Sequence, residues 1–280
     1  MTKKKRTKAS KPAGTKRRRS RKGMPAGSQR SRRVLDVPLA AAEVQPALDV
    51  LCDGARPVGA RLEALQAVQA ASFAVPEFDA IRPDYIAALR QAAQDENPEL
   101  RQRALGILAR EHDGFAQEAL LEGLRKPARA LVAPDKALQL LSYDAHTGAY
   151  PIAREIVKTS PDASARREAL RLLSGDPASA PILEGVLADK DEPSDIRRMS
   201  ASALHALNPD RLQRWANRAV LDTAEDSDIV ATGLTALTQF GDARAITANK
   251  ELRKRVDQLQ QQAPAKVKQL ARRFAQKYEL

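Results

Sequence analysis

Asn97-Pro-Glu-Leu-Arg-Gln-Arg-Ala-Leu-Gly-Ile-Leu108 reads as the opening of an amphipathic helix. Asn97 is an N-cap that accepts from an orphan backbone N–H. Pro98 at the first helical position loses nothing by lacking a donor, and Glu99 faces the positive end of the helix dipole. Leu100, Ala104, Ile107 and Leu108 fall at i, i+4, i+7 and i+8, one apolar stripe. The heart of this stretch, Ala-Leu with a hydrophobic residue three places after the Leu, forms a series of six copies at a nearly constant step. The copies are Ala64-Leu65, Ala104-Leu105, Ala137-Leu138, Ala169-Leu170, Ala203-Leu204 and Ala236-Leu237, with Leu-to-Leu steps of 40, 33, 32, 34 and 33 residues. The third positions are Val68, Leu108, Leu141, Leu173, Leu207 and Phe240. A period in the 30s with helical spacing inside each unit predicts stacked helix pairs.

The surroundings of the signature support the period. Ser160-Pro161-Asp162 and Asn208-Pro209-Asp210 repeat the cap, Pro and acid of Asn97-Pro98-Glu99. Breakers close the helices at Asp113-Gly114, Ser174-Gly175-Asp176-Pro177 and Gly241-Asp242. Ala165, Ala169, Leu172 and Leu173 repeat the apolar stripe, and the residue before each signature Ala is polar (Glu63, Arg103, Lys136, Glu168, Ser202, Thr235), as expected for a solvent-facing position. Other Ala-Leu pairs, such as Ala88-Leu89 and Ala119-Leu120, lack the large apolar residue three places on.

On Asn97–Leu105, Pro161–Leu170 and Gln239-Phe-Gly-Asp-Ala-Arg-Ala-Ile246, the chain resembles HEAT repeats, in particular the short bacterial form. That form runs Asp-Pro-x-x-Arg-x-x-Ala-Leu and then Leu-Gly-Asp-x-x-Ala. The resemblance spans residues 56 to 260. It implies an all-α, α-α superhelical solenoid of about six repeats and leaves the function open. The third copy departs from the pattern, with no clear cap before Ala133-Pro134 and a loose turn from Tyr143 to Tyr150.

Charge divides the chain into zones. Residues 1–33 hold 15 Lys and Arg and no acid, residues 34–249 hold 23 basic and 32 acidic residues, and residues 250–280 hold nine basic and three acidic ones. The first zone has almost no large apolar side chain, Met24 being the main exception, and cannot offset its ordering entropy. The expected organisation is a disordered polybasic tail over 1–33, a solenoid over 34–260 and a capping helix within 261–280. In the last segment, split from the preceding helix near Pro264, Val267, Leu270, Ala271, Phe274 and Tyr278 form a stripe flanked by Lys266, Lys268, Arg272, Arg273 and Lys277.

A tail rich in cations and free of aromatic residues points to sequence-independent binding of nucleic acid through phosphates. The candidate contacts are Lys3, Lys4, Lys5, Arg6, Lys16, Arg17, Arg18, Arg19, Arg21 and Lys22, joined by Arg272 and Arg273 at the other end. If about eight phosphates were neutralised on a duplex, the log–log salt slope would be roughly −7. Competing readings are a solvated tail without a partner, attraction to anionic lipid, and folding back on the acidic body. In a eukaryote the same runs serve as nuclear import signals.

Chemistry is sparse. His112, His146 and His205 stand apart, and no His-x-x-x-His, His-Glu-x-x-His or Cys-x-x-Cys occurs, so no metal and no cofactor is expected. Only His112-Asp113 with Asp144-Ala145-His146, one repeat apart, offers a metal alternative. HEAT-built iron hydroxylases use His-Glu pairs, which are missing. The single cysteine, Cys52, reads as a small helix hydrophobe and fits a reducing compartment. No apolar run reaches the length of a membrane span, and Ser31-Arg32-Arg33-Val34-Leu35 lacks the apolar region an export signal needs.

The expected function is a non-enzymatic, monomeric scaffold or adaptor in the cytoplasm, nucleoid-associated or nuclear. It binds a protein partner while its tail tethers it to nucleic acid. The alternatives are a pure protein scaffold with an incidental tail and a DNA-processing enzyme similar to the HEAT-type alkylpurine glycosylases. For the latter, the single Trp215 with Arg211, Arg214 and Arg218 is the candidate groove. Packing on the second helix of its repeat is the plainer role for Trp215.

Overall fold

The computed structural model describes residues 41–74, 78–143 and 147–280, with only the backbone of Ala41 and Thr147. The tail expected over 1–33 lies outside the described residues, as do Asp144 and His146 of the metal alternative. The described residues form one compact unit. Among the described residues the chain is all-helical, without a strand, as the period of the signature requires.

The helices come in pairs along the chain. They are α1 (Ala41–Cys52) with α2 (Val58–Ala74), α3 (Phe78–Ala92) with α4 (Pro98–Arg110), α5 (Gly114–Arg125) with α6 (Pro134–Leu141), and α7 (Tyr150–Thr159) with α8 (Ala163–Leu172). Then follow α9 (Ala180–Ala188) with α10 (Ser194–Leu207) and α11 (Pro209–Leu221) with α12 (Ser227–Phe240). After the short α13 (Ala243–Ala248), α14 (Lys250–Gln262) pairs with α15 (Ala265–Tyr278), the split falling at Pro264 as expected. The second members pack on one another in series, α2 on α4, α6, α8, α10, α12 and finally α15. They form one layer, and the first members pack behind them.

The six periodic copies of the Ala-Leu signature lie in that second layer, and all twelve of their residues are buried. The small Ala lets the neighbouring helix close in while the Leu fills the space between layers. The α15 helix takes the seventh place in the layer without the signature. It buries Val267, Ala271, Phe274 and Tyr278 against α12 and α14, with Leu270 only half-buried.

The caps follow the sequence with one shift. Asn97 Oδ1 accepts from the N–H of Glu99 and Leu100, both at 3.0 Å, and Asn208 Oδ1 accepts from Arg211 N–H at 3.0 Å. At the third site the cap is Asp162 and not Ser160. Ser160 Oγ accepts from Asp162 N–H at 3.2 Å, and Asp162 Oδ1 accepts from Ser164 N–H at 2.8 Å, so α8 begins at Ala163. A charged acceptor outcompetes the hydroxyl as a cap. The start of α6 at Ala133 has no side-chain cap.

The third signature position also divides. Val68, Leu108, Leu141 and Leu173 are fully buried, Leu207 is half-buried, and Phe240 is 42% exposed. At the end of α12 the core side is already filled. Tyr278 Oη donates to Leu237 O at 2.6 Å, and Ile246 and Tyr278 crowd Gly241. The ring of Phe240 therefore turns outward and lies against His205, ring centroids 3.9 Å apart.

Candidate functional site

The face presented by the second layer is held in register by buried arginines. Arg61, at the start of α2, donates from Nε to Leu51 O at 3.0 Å and pairs with Asp95 at 2.6 Å. Arg166 of α8 donates to Val157 O at 3.0 Å and pairs with Glu192, and Arg197 of α10 donates to Leu187 O at 3.0 Å and pairs with Glu225. Each guanidinium thus closes a carbonyl at the end of the preceding first-layer helix and holds an acid in the turn of the next pair. Helix ends leave carbonyls without partners, and an arginine fork satisfies one of them while neutralising a carboxylate. Among the described residues Arg101 of α4 pairs with no carboxylate and instead donates to Leu131 O at 2.5 Å and Asp95 O at 2.7 Å. The third copy has Pro134 four places before its Leu, where Arg61, Arg101 and Arg166 stand in theirs.

The first layer has its own ties. Arg90 of α3 grips Asp113, the cap of α5, at 2.7 Å, and Arg154 of α7 grips Asp176, ahead of α9, at 2.7 Å. Burial alone would raise the carboxyl pKa of Asp113 and of Asp176. The hydrogen bonds from Arg90 to Asp113, and from Ser179 and Arg154 to Asp176, outweigh it and hold both below the usual carboxylate range.

Grooves open on the second layer. Between α10, α12 and α15 lies one of about 360 Å³. Its floor is apolar, from Ala201, Ala231, Ala236 and Leu270, and Phe240 stands at its edge over His205. Arg198, Lys266 and Asp228 edge the rest, with Lys266 Nζ 2.6 Å from Asp228 Oδ1. That ammonium holds the Asp228 carboxyl below its ordinary range. Between α2, α4 and α6 lies a second groove of about 460 Å³, with Arg103, Arg110, Lys136 and Tyr143 among its lining residues.

Of the candidate nucleic-acid contacts, the ten tail residues from Lys3 to Lys22 lie outside the described residues. Arg272 and Arg273 are exposed on α15, with no carboxylate within ion-pair distance among the described residues. Their neighbour Lys277 is tied down, donating to Thr238 O and lying 5.2 Å from the Tyr278 ring. The glycosylase-like constellation is not assembled. Trp215 is 4% exposed in α11, the first helix of its pair, and Arg211 is committed to Glu184 at 2.6 Å. Among the described residues no group of three or more His, Cys, Asp or Glu stands close enough to hold a metal ion. Cys52 ends α1 half-buried, and burial pushes its thiol pKa up. The grooves escaped the sequence reading because they are made by residues about 30 places apart. The one available signal was polar residues recurring beside the signature.

No protein-family model and no curated protein matches the chain. Among solved structures, an engineered protein from a structural genomics programme matches with 18% identity and a TM-score of 0.46, over 85% of this chain and 68% of the other. Human deoxyhypusine hydroxylase, solved with glycerol, matches with 14% identity and a TM-score of 0.37, over 85% of this chain and 96% of the other.

Proposed function

We propose that this chain is a non-enzymatic binding module of HEAT-like repeats. The second helix layer holds a segment of a protein partner, and the polybasic tail tethers the assembly to nucleic acid without reading its sequence. The observation that carries the proposal is the groove between α10, α12 and α15. It joins an apolar floor to Phe240, a large aromatic ring left 42% exposed at a position that four other copies bury fully. Exposed aromatic side chains beside an apolar concavity are the anchors that partner segments use. The tail adds effective concentration, since weak attachment to a polyanion raises the encounter rate for whatever the layer recognises.

The burial of Trp215 supports a binding role over a glycosylase-like one, because a base-stacking ring has to reach the nucleotide. Among the described residues no helix is long and apolar enough to cross a membrane. The module is expected to work as a monomer in the cytoplasm, near nucleic acid.

A photo-crosslinking residue placed at Phe240 of the full chain in its native cells tests the partner half of the proposal. A discrete protein adduct, absent when the crosslinker is moved to Glu118 on the first layer, is expected. Equal labelling from both positions would contradict it.

A further inference from the structure

The groove between α2, α4 and α6 has a charge that the acidic body does not foretell. Three cations, Arg103, Arg110 and Lys136, line it, and among the described residues no carboxylate does. The polar remainder is amide, from Gln66, Gln69 and Gln102. At one end stands Tyr143, 45% exposed, with the Arg110 guanidinium 5.9 Å from the ring centroid. Arg103 and Lys136 are only lightly held. Arg103 meets Glu99 at 2.7 Å in a solvent-exposed pair, and Lys136 Nζ donates to Gln139 at 2.8 Å. An exposed ion pair such as Arg103–Glu99 is worth little, and the Gln139 amide leaves the Lys136 charge unneutralised.

We infer that this groove binds single-stranded nucleic acid, with Arg103, Arg110 and Lys136 on successive phosphates and one base on Tyr143. The inference extends the nucleic-acid reading of the tail to a second contact on the helical body. An electropositive groove beside an exposed aromatic ring is the arrangement that holds a single strand, because every base has a face to stack and every phosphate a charge to neutralise. The amides give donors and acceptors to base edges or sugar hydroxyls without imposing one sequence. A duplex keeps its bases stacked inside and leaves Tyr143 without a partner. An acidic protein segment would use the three cations and leave the ring idle.

The test uses the full chain with a fluorescent oligouridylate, a duplex and poly-glutamate as probes, each across a salt series. One variant carries Arg103→Gln, Arg110→Gln and Lys136→Gln. Another has the cations of Lys16 to Lys22 replaced by Gln. All the altered groove residues lie at the surface, and an unchanged urea midpoint verifies the fold. The groove variant should lower the single-strand log–log salt slope by about 2, three contacts at roughly 0.7 each. It should leave duplex binding by the tail unchanged. Thiouridine crosslinking should mark the peptide containing Tyr143. An unchanged slope with no adduct at Tyr143 overturns the groove while the tail variant still reports on the tether. Loss of poly-glutamate binding with single-strand binding intact overturns it in favour of an acidic protein segment. If the tail variant changes nothing while the groove variant loses the single strand, the tether falls and the groove stands.

Discussion

Arg197 and Glu225 face each other fork to fork. Nη1 donates to one carboxylate oxygen and Nη2 to the other, both at 2.8 Å, with the side chains 2% and 5% exposed. The same guanidinium donates to Leu187 O, so one side chain joins the end of α9 to the turn ahead of α12. Removing one member of a buried pair leaves an uncompensated charge, whereas replacing both with apolar groups is often neutral. Glu225→Ala should therefore destabilise the stack by about 3–5 kcal/mol, and Arg197→Met with Glu225→Leu should recover most of it. Urea midpoints measure both, and equal midpoints for the single and double variants would contradict the pairing.

Acid should weaken the structure in a definite window. In Asp113, Asp176 and Glu225, burial is overcome by arginine and backbone partners, and at Asp176 first by Ser179, so each folded pKa lies below its ordinary value. A depressed folded pKa adds stability that is fully present above the unfolded value of about 4 and is lost as pH falls toward the folded one. Urea midpoints should hold level from neutral pH to about 5 and drop below about 4. Asp113→Asn with Asp176→Asn should lower the neutral plateau and flatten the acid limb. An acid limb as steep as in the parent would show that other groups control it.

The divided third signature position predicts unequal effects from one register. Leu173 is fully buried at the end of α8, and Leu173→Ala should cost about 2–5 kcal/mol. Phe240→Ala removes an outward ring and should stay within about 1 kcal/mol. Thermal and urea unfolding separate the two, and a large loss from Phe240→Ala would place that ring in the core after all.

Gly241 is required by space and not by conformation, since its φ of −68° suits any residue. A Cβ there would meet the backbone oxygen of Leu237 and Ile246 Cδ1 well inside contact distance, with Tyr278 Oη at 3.1 Å. Gly241→Ala should destabilise by about 1–3 kcal/mol through overpacking, and stability indistinguishable from the parent would refute the crowding.

The layer of signature helices was legible in the sequence because burial of Ala and Leu every third or fourth place leaves a period that composition cannot mimic. Asn97 and Asn208 were legible as caps for the same local reason. Three features were not. The buried arginines look like surface charge, since Arg61 and Asp95 are 34 residues apart and no local rule connects them. Phe240 is set by Tyr278 and Ile246, residues of later helices that compete for the same space. The basic groove arises within a stretch whose sum is acidic, because net charge says nothing about which face a side chain joins.

The most direct test of the tethered binding module is fluorescence anisotropy of the full chain with a generic duplex and a single strand across a salt series. It is repeated with the cations of Lys3 to Lys22 replaced by Gln. The expected result is duplex binding with a log–log slope of roughly −7 that collapses in the tail variant. Duplex binding equally tight and equally salt-dependent in both proteins, or absent in both, would contradict the tether.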